Sequence, residues 1–285
     1  MLSITELLTL TKAECETYVE EVTQGEHSPH KYVFVDNKAP VTLFAHMDTI
    51  NDIYNTKLNA DDIITNGTQF SVSNTSKKVL GADDRAGIYI MLQLIKAGCI
   101  EYNYVFTQDE EIGGIGATAF AKDYAEMLTT QNAFISLDRR GANEVALYGY
   151  DNDELNEVFL HWGFITAFGS YMDCVEASRV TDIACLNISV GYDAEHTSDE
   201  SLDFAITLDV LDLLQEDDII TALSEGPFMA DPYVEEKPWY DYGLEDLMEF
   251  EPVVCEVCND HAPLYDYEEM QVCQHCVELW EDSPR

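Results

Sequence analysis

The chain has 285 residues, 46% of them apolar, which is enough for one sizeable α/β domain with a small appendage and excludes global disorder. Its 55 acidic residues face only 14 basic ones, and the formal net charge of −41 sets it against nucleic acid and anionic membranes as partners. No uncharged apolar run of about 18 residues occurs, so no membrane-spanning helix is expected. The segment Met1 to Glu6 lacks the basic-then-apolar pattern of an export signal, and the expected compartment is the reducing cytoplasm.

In chain order, Ser3 and Glu6 have capping-box spacing and predict a helix running to about Val22. The apolar runs 31–35 and 41–45, parted by Asn37, Lys38, Ala39 and Pro40, predict a strand hairpin. Residues 50–80 are rich in Asn, Asp, Ser and Thr and predict irregular loop with short strand pieces. Ile88, Met91, Leu92 and Ile95 recur at helical spacing within 84–96, and Gly98 marks the stop. A strand at 102–107, a helix at 115–127, strands at 133–137 and 145–148, a helix at 153–162, a strand at 184–190 and a long helix at 199–214 complete the pattern. This alternation predicts a three-layer α/β sandwich around a mostly parallel sheet. Composition shifts after Leu223. An acidic linker over 224–250 leads from the principal domain, 1–223, to a cysteine-bearing tail, 251–285.

Cys15, Cys99, Cys174 and Cys185 fall in apolar segments and read as reduced core residues. Cys255 with Cys258, and Cys273 with Cys276, form two Cys-x-x-Cys pairs separated by 14 residues. That spacing suits four thiolates around one structural zinc, whose binding supplies the folding energy of so small a unit. Such a tail is a candidate for docking on the domain or for a protein contact.

Five segments bring a histidine or a carboxylate to the region where a strand ends: His46-Met47-Asp48, Asp83-Asp84, Asp109-Glu110-Glu111, Asp138 and His196. In a parallel sheet the carboxyl ends share one edge, where ligands bind. Carboxylates massed there repel one another, and divalent cations remove that penalty. His and Asp/Glu donors without Cys suit catalytic rather than structural metal, and two cations are served by about three ligands each with one carboxylate shared. Each block alone has a bland use. Asp83-Asp84 reads as a helix N-cap, Glu110-Glu111 as a solvated loop, and Thr197 with Glu200 as a capping pair. Adjacent Glu110 and Glu111 reach one centre only if the chain has left the strand, and Ile112-Gly113-Gly114 supplies the turn.

The blocks His46-Met47-Asp48-Thr49, Gly81-Ala82-Asp83-Asp84-Arg85-Ala86-Gly87, Asp109-Glu110-Glu111-Ile112-Gly113 with Gly116-Ala117, Leu137-Asp138 and His196-Thr197 occur in that order within about residues 40–215. Together they resemble the co-catalytic di-zinc exopeptidase clan, which includes peptidase T, the glutamate carboxypeptidases, the acetylornithine-type deacylases and the zinc aminopeptidases. The resemblance implies that His46 and Asp138 bind one zinc, that Glu111 and His196 bind a second, and that Asp83 bridges them. It also implies that Glu110 is the general base, that Asp48 stands behind His46 and fixes its tautomer, and that the Asp83–Asp84 peptide is cis. Cobalt or manganese also suit such donors.

Asp138 and His196 lie 58 positions apart, too close for the lid domain inserted in many relatives. The layout implied is that of the single-domain zinc aminopeptidases. Substrate-binding groups must then come from loops at 50–80, 139–152 or 163–182. Arg139 and Arg140 are candidates either for gripping a substrate carboxylate or for structural ion pairs. Asp173 resembles an element near the site in relatives and is a candidate for orienting His196 or shaping the pocket. The implied activity is hydrolysis of a peptide or small amide by an aminopeptidase or dipeptidase. The alternatives are an N-acyl amino acid deacylase and a non-catalytic metal-binding protein.

Overall fold

The computed structural model describes residues 2–28, 31–73, 78–147, 150–169, 171–232, 264–267 and 270–273. The chain divides into two compact units, Met1–Pro232 and Tyr233–Arg285. In the second, the described residues form an antiparallel hairpin, Leu264–Tyr267 with Met270–Cys273. Cys255, Cys258 and Cys276 lie outside the described residues, as do residues 233–250 of the expected linker 224–250.

The first unit opens with α1 (Ile4–Leu8), capped by Ser3 and Glu6 as expected. A second capping box, Thr11 with Glu14, then starts α2 (Lys12–Thr23), so the single helix expected is two. Strands β1 (Glu26–Ser28), β2 (Tyr32–Val35) and β3 (Val41–His46) follow, then the short helix α3 (Ile50–Ile53) and a hairpin of β4 (Ile63–Asn66) and β5 (Gln69–Val72). Next come α4 (Ala82–Ala97), β6 (Tyr102–Thr107), α5 (Ile115–Asp123), α6 (Ala125–Leu128), β7 (Ala133–Arg139), β8 (Glu144–Leu147) and β9 (Tyr150–Asp151). The unit finishes with α7 (Asp153–His161), β10 (Ile165–Phe168), α8 (Cys174–Thr181), β11 (Cys185–Ser189), β12 (Tyr192–Asp193), β13 (Ser201–Asp203), α9 (Phe204–Leu213), α10 (Asp217–Ser224) and β14 (Asp231–Pro232). The long helix expected from 199 begins only at Phe204. Residues 201–203 pair with β5 instead, and Asp203 caps the helix by accepting from Ala205 N–H.

The central sheet has the order β1-β2-β6-β3-β7-β11-β8-β10. Its middle strands β6, β3, β7 and β11 run parallel, while β1–β2, β2–β6 and β8–β11 pair antiparallel, so the sheet is mixed. β2 and β3 are not a hairpin, because β6 lies between them. The connecting loop crosses the start of β6, where the Asn103 side chain accepts from Asn37 N–H and Ala39 N–H at 3.0 and 3.2 Å. A smaller antiparallel sheet, β12-β13-β5-β4, stands apart from the large one.

Strand periodicity sorts the core into two layers. Val41, Leu43 and Ala45 face the cluster that contains Leu92 and Leu94 of α4, whereas Phe44 faces the cluster that contains Phe120 of α5 and Val175 of α8. Cys15, Cys174 and Cys185 are free and buried, and Cys99 is free and half-buried. Register aligns the strand ends. His46 lies level with Thr107, and the offset that pairs Phe44 with Ser136, carried two residues on, sets Asp138 beside His46.

Helix α4 approaches β7 backbone to backbone at this edge. A Cβ on Gly87 would fall 2.3 Å from Leu137 O and 2.6 Å from the Asp84 carboxylate. Gly87→Ala is therefore expected to destabilise the fold by about 1–3 kcal/mol through overpacking, measured by urea unfolding, even though alanine favours helices.

Candidate active site

His46 closes β3 and is buried. Its Nδ1 lies 3.0 Å from the backbone oxygen of Asp48, which can only accept, so Nδ1 carries a hydrogen, and in the neutral ring Nε2 then carries a lone pair. Nε2 lies 2.9 Å from Asp83 Oδ1 and 3.6 Å from Asp138 Oδ1. In that tautomer these are acceptors facing acceptors, an arrangement that holds only with a proton or a cation between them.

Asp83 and Asp84 precede the regular part of α4 with non-helical backbone, and the peptide between them is cis. Asp83 presents its second oxygen, Oδ2, to His196 Nε2 at 3.3 Å. His196 also lies 2.9 Å from Glu111 Oε2. The His196 backbone has φ +63°, uncommon for a residue with a side chain and typical of functional positions.

The two adjacent glutamates reach the site through the turn expected from the glycines. Asp109, Gly113 and Gly114 all have positive φ, and Gly113 N–H and Gly114 N–H both donate to Glu110 O. Buried Asp109 anchors the turn by pairing with Lys12 at 2.6 Å and with Lys31. Glu110 Oε2 lies 3.9 Å from His46 Nε2.

Among the described residues two sets of ligand atoms emerge, each within 4.8 Å of one another: His46 with Asp84 and Asp138, and Asp83 with Glu111 and His196. Asp84 is fully buried, and its oxygens accept from Gly87 N–H at 2.9 Å and His46 N–H at 3.2 Å.

The electrostatics fit divalent cations. Burial opposes charge on His46, yet Asp138, Asp83 and Glu110 hold its imidazole well above the ordinary value. Asp83 and Glu111 push His196 up to about 11. Burial, reinforced by neighbouring carboxylates, raises Asp138 to about 7 and Glu110 to about 8. Protons thus occupy the cluster where positive charge is needed. Glu111 Oε1 is buried without a hydrogen-bond partner, and the donor set of imidazoles and carboxylates suits zinc, cobalt or manganese.

Asp48 stands behind His46, where its backbone oxygen is the nearer group and its carboxylate lies 3.7 Å from Nδ1. That carboxylate instead accepts from Glu110 N–H and Glu111 N–H, at 3.2 and 3.3 Å. Asp173 is buried and bonded to the Thr107 hydroxyl rather than to His196. Arg139 binds Glu144 at 2.7 Å, and Arg140 binds Glu195 at 3.0 Å. Both arginines line a cavity of 150 Å³ that opens onto Asp83, Glu110, Asp138 and His196.

Sequence reasoning missed two supports. Buried Glu200, read from spacing as a capping residue, accepts from Gly81 N–H and Asp83 N–H at 2.9 and 3.1 Å. The Tyr192 hydroxyl lies 3.0 Å from Asp138 O and 3.1 Å from its carboxylate. An acid with no cation nearby in sequence is the only trace of Glu200's role. Nothing in the sequence marks Tyr192.

No protein-family profile matches the chain, and no curated protein matches it in sequence. Solved structures do match. Aminopeptidase PepT from Bacillus cereus aligns at 14% identity over 78% of this chain and 97% of its own, with a TM-score of 0.56. A tripeptidase from Staphylococcus aureus aligns at 13% identity over 78% and 97%, with a TM-score of 0.58. An aminopeptidase from the archaeon Desulfurococcus kamchatkensis aligns at 11% identity over 79% and 94%, with a TM-score of 0.54. At these identities the likeness defines the fold, and the chain has the α/β peptidase fold of these proteins.

Because neighbouring carboxylates raise both histidines, a divalent cation taken up by this donor set is expected to release protons. Affinity should rise with pH up to the raised value of His196. Calorimetry in buffers of different ionisation enthalpy checks this, and a heat independent of buffer would contradict it.

Proposed function

We propose that the chain is a metal-dependent exopeptidase, an aminopeptidase or dipeptidase, that holds two zinc ions at the end of its central sheet. His46 and Asp138 serve one ion, Glu111 and His196 the other, and Asp83 both. The observation that carries this reading is Asp83 itself, which offers one oxygen to each histidine at 2.9 and 3.3 Å. Asp83 is preferred to Asp84 as the shared ligand because main-chain amides already occupy both Asp84 oxygens. The aminopeptidase and tripeptidase activities named for the structural neighbours support peptides as substrates.

A bound dication pair supplies Lewis acidity, polarising the scissile carbonyl and making water acidic enough to deprotonate near neutral pH. The protein's own residues do the rest. Glu110 belongs to neither ligand set, so its carboxylate is free to take the proton of the attacking water and deliver it to the leaving amine. Asp48 holds Glu110 and Glu111 in place through their amides, and Glu200 does the same for Asp83. Tyr192 orients Asp138. Arg140, on the cavity wall, is proposed to meet a substrate carboxylate in exchange for Glu195.

On spacing alone, Cys255, Cys258, Cys273 and Cys276 are proposed as ligands of a separate structural zinc in the tail 251–285. The linker 224–250 joins that tail to a catalytic domain spanning 1–223.

The test is zinc-loaded protein against a panel of short peptides and amino-acid arylamides, beside the Glu110→Gln variant. The wild type is expected to release free amino acids. The variant should lose about 10²–10⁴-fold in kcat while retaining its zinc by elemental analysis. A wild type that binds metal and cleaves nothing in the panel would overturn the proposal.

A further inference from the structure

A strand at the end of a sheet turns one row of main-chain donors and acceptors outward. Folded chains usually guard that row with charge, proline, a bulge or a covering segment. The large sheet ends in β1 on one side and β10 on the other, and among the described residues no strand lies beyond either. β1 carries the charge of Glu26. β10 has no such guard. It runs in unbroken register along β8, and neither a charged residue nor a proline occurs from Trp162 to Met172, in a chain of which 24% is charged. Ile165 is 54% exposed and Phe168 80%, the most exposed large apolar side chain among the described residues.

The bonds already made fix which groups are free. Ile165 N–H donates to Asn143 O at 2.8 Å and Gly169 N–H to Leu147 O at 3.2 Å, so the odd-numbered residues of β10 face β8. Successive residues in a strand turn their main-chain groups to opposite sides. The N–H and C=O of Thr166 and Phe168 therefore point away from the sheet. The Thr166 hydroxyl accepts from the Asn156 amide of α7 at 2.9 Å, which holds the strand in place.

Charge limits what can cover this row. At −41 the chain repels acidic partners, and a strand that meets β10 must itself be free of acid where the two touch. A second copy of β10 meets that condition. Set antiparallel about a two-fold axis at Ala167, it places Thr166 of one copy opposite Phe168 of the other, and each such pair exchanges both of its main-chain hydrogen bonds. Each exposed Phe168 ring then lies across from a Thr166, and the two-fold contact closes at two copies.

We propose that β10 is an interaction surface for a second copy of this chain, the two strands joining antiparallel about Ala167 so that the large sheet continues from one copy into the other. The contact forms against the mutual repulsion of two acidic chains. Salt screens that repulsion and leaves the hydrogen bonds and apolar contact in place, so the dimer tightens as salt is added. A cationic partner on the same edge would loosen instead. The dimer needs neither bound metal nor turnover.

Sedimentation velocity of the full chain, over a range of concentrations at low and at high salt, tests this beside two variants. The wild type is expected to dimerise with a dissociation constant that falls as salt rises. Phe168→Pro removes an outward N–H and a ring from each copy without touching the β8 ladder, and Phe168→Glu keeps the N–H but puts a carboxylate on the edge. Each should weaken dimerisation at least about 10-fold. Amide exchange on the wild type gives a reading that needs no variant, and it decides where a substitution lowers the melting temperature. The Thr166 and Phe168 amides should be protected at concentrations where the dimer forms and exchange where it dissociates, while the Ile165 amide stays protected in both. A wild type monomeric at every concentration and salt, a dimer that loosens with salt, a dimer that survives both substitutions, as one formed through residues 233–285 would, or a Phe168 amide whose exchange ignores concentration would each overturn the proposal.

Discussion

Asp83 stands between two histidines, one carboxylate oxygen to each, with Asp138 beside one imidazole and Glu111 beside the other. So much negative charge shielded from water is unstable by itself. The cluster answers with protons, holding both imidazoles far above their usual range and raising Asp138 to about 7 and Glu110 to about 8. Every other feature of the site is arranged around that concentration of charge. The parallel strands align their ends beneath it, and the α4 backbone presses against β7 at Gly87.

The groups that set the geometry act mainly on the main chain. Asp48 grips two consecutive amides, and Glu200 grips those of Gly81 and Asp83. The fully buried Arg85 donates to the carbonyls of Met47 and Leu10, tying the segment after β3 to the N-terminal helices. Acids and one arginine thus serve as struts in a buried region where each backbone group must find a partner.

The sequence made the site more legible than the topology. The histidines and carboxylates were readable because chemistry needs those residue types at strand ends, and their order along the chain is preserved whatever the loops do. Strand neighbours were not readable. The runs 31–35 and 41–45 look like a hairpin, and only the remote Asn103 side chain shows why β6 separates them. The start of α9 was misjudged because Thr197 and Glu200 mimic a cap. The carboxylate of Glu200 is in fact drawn away to amides more than a hundred residues distant. Whether the backbone or the side chain of Asp48 touches the His46 ring is a matter of torsion angles that residue identity does not encode.

Support through the main chain has a consequence for how such a domain ages. Asp48 grips the peptide nitrogens of residues 110 and 111 and is indifferent to what either side chain carries. A copy in which glutamine replaced Glu110 would fold as before and keep its proposed ions. On the proposed reading, the passage from catalyst to inert ion carrier is therefore one codon wide, and nothing in the architecture would resist it.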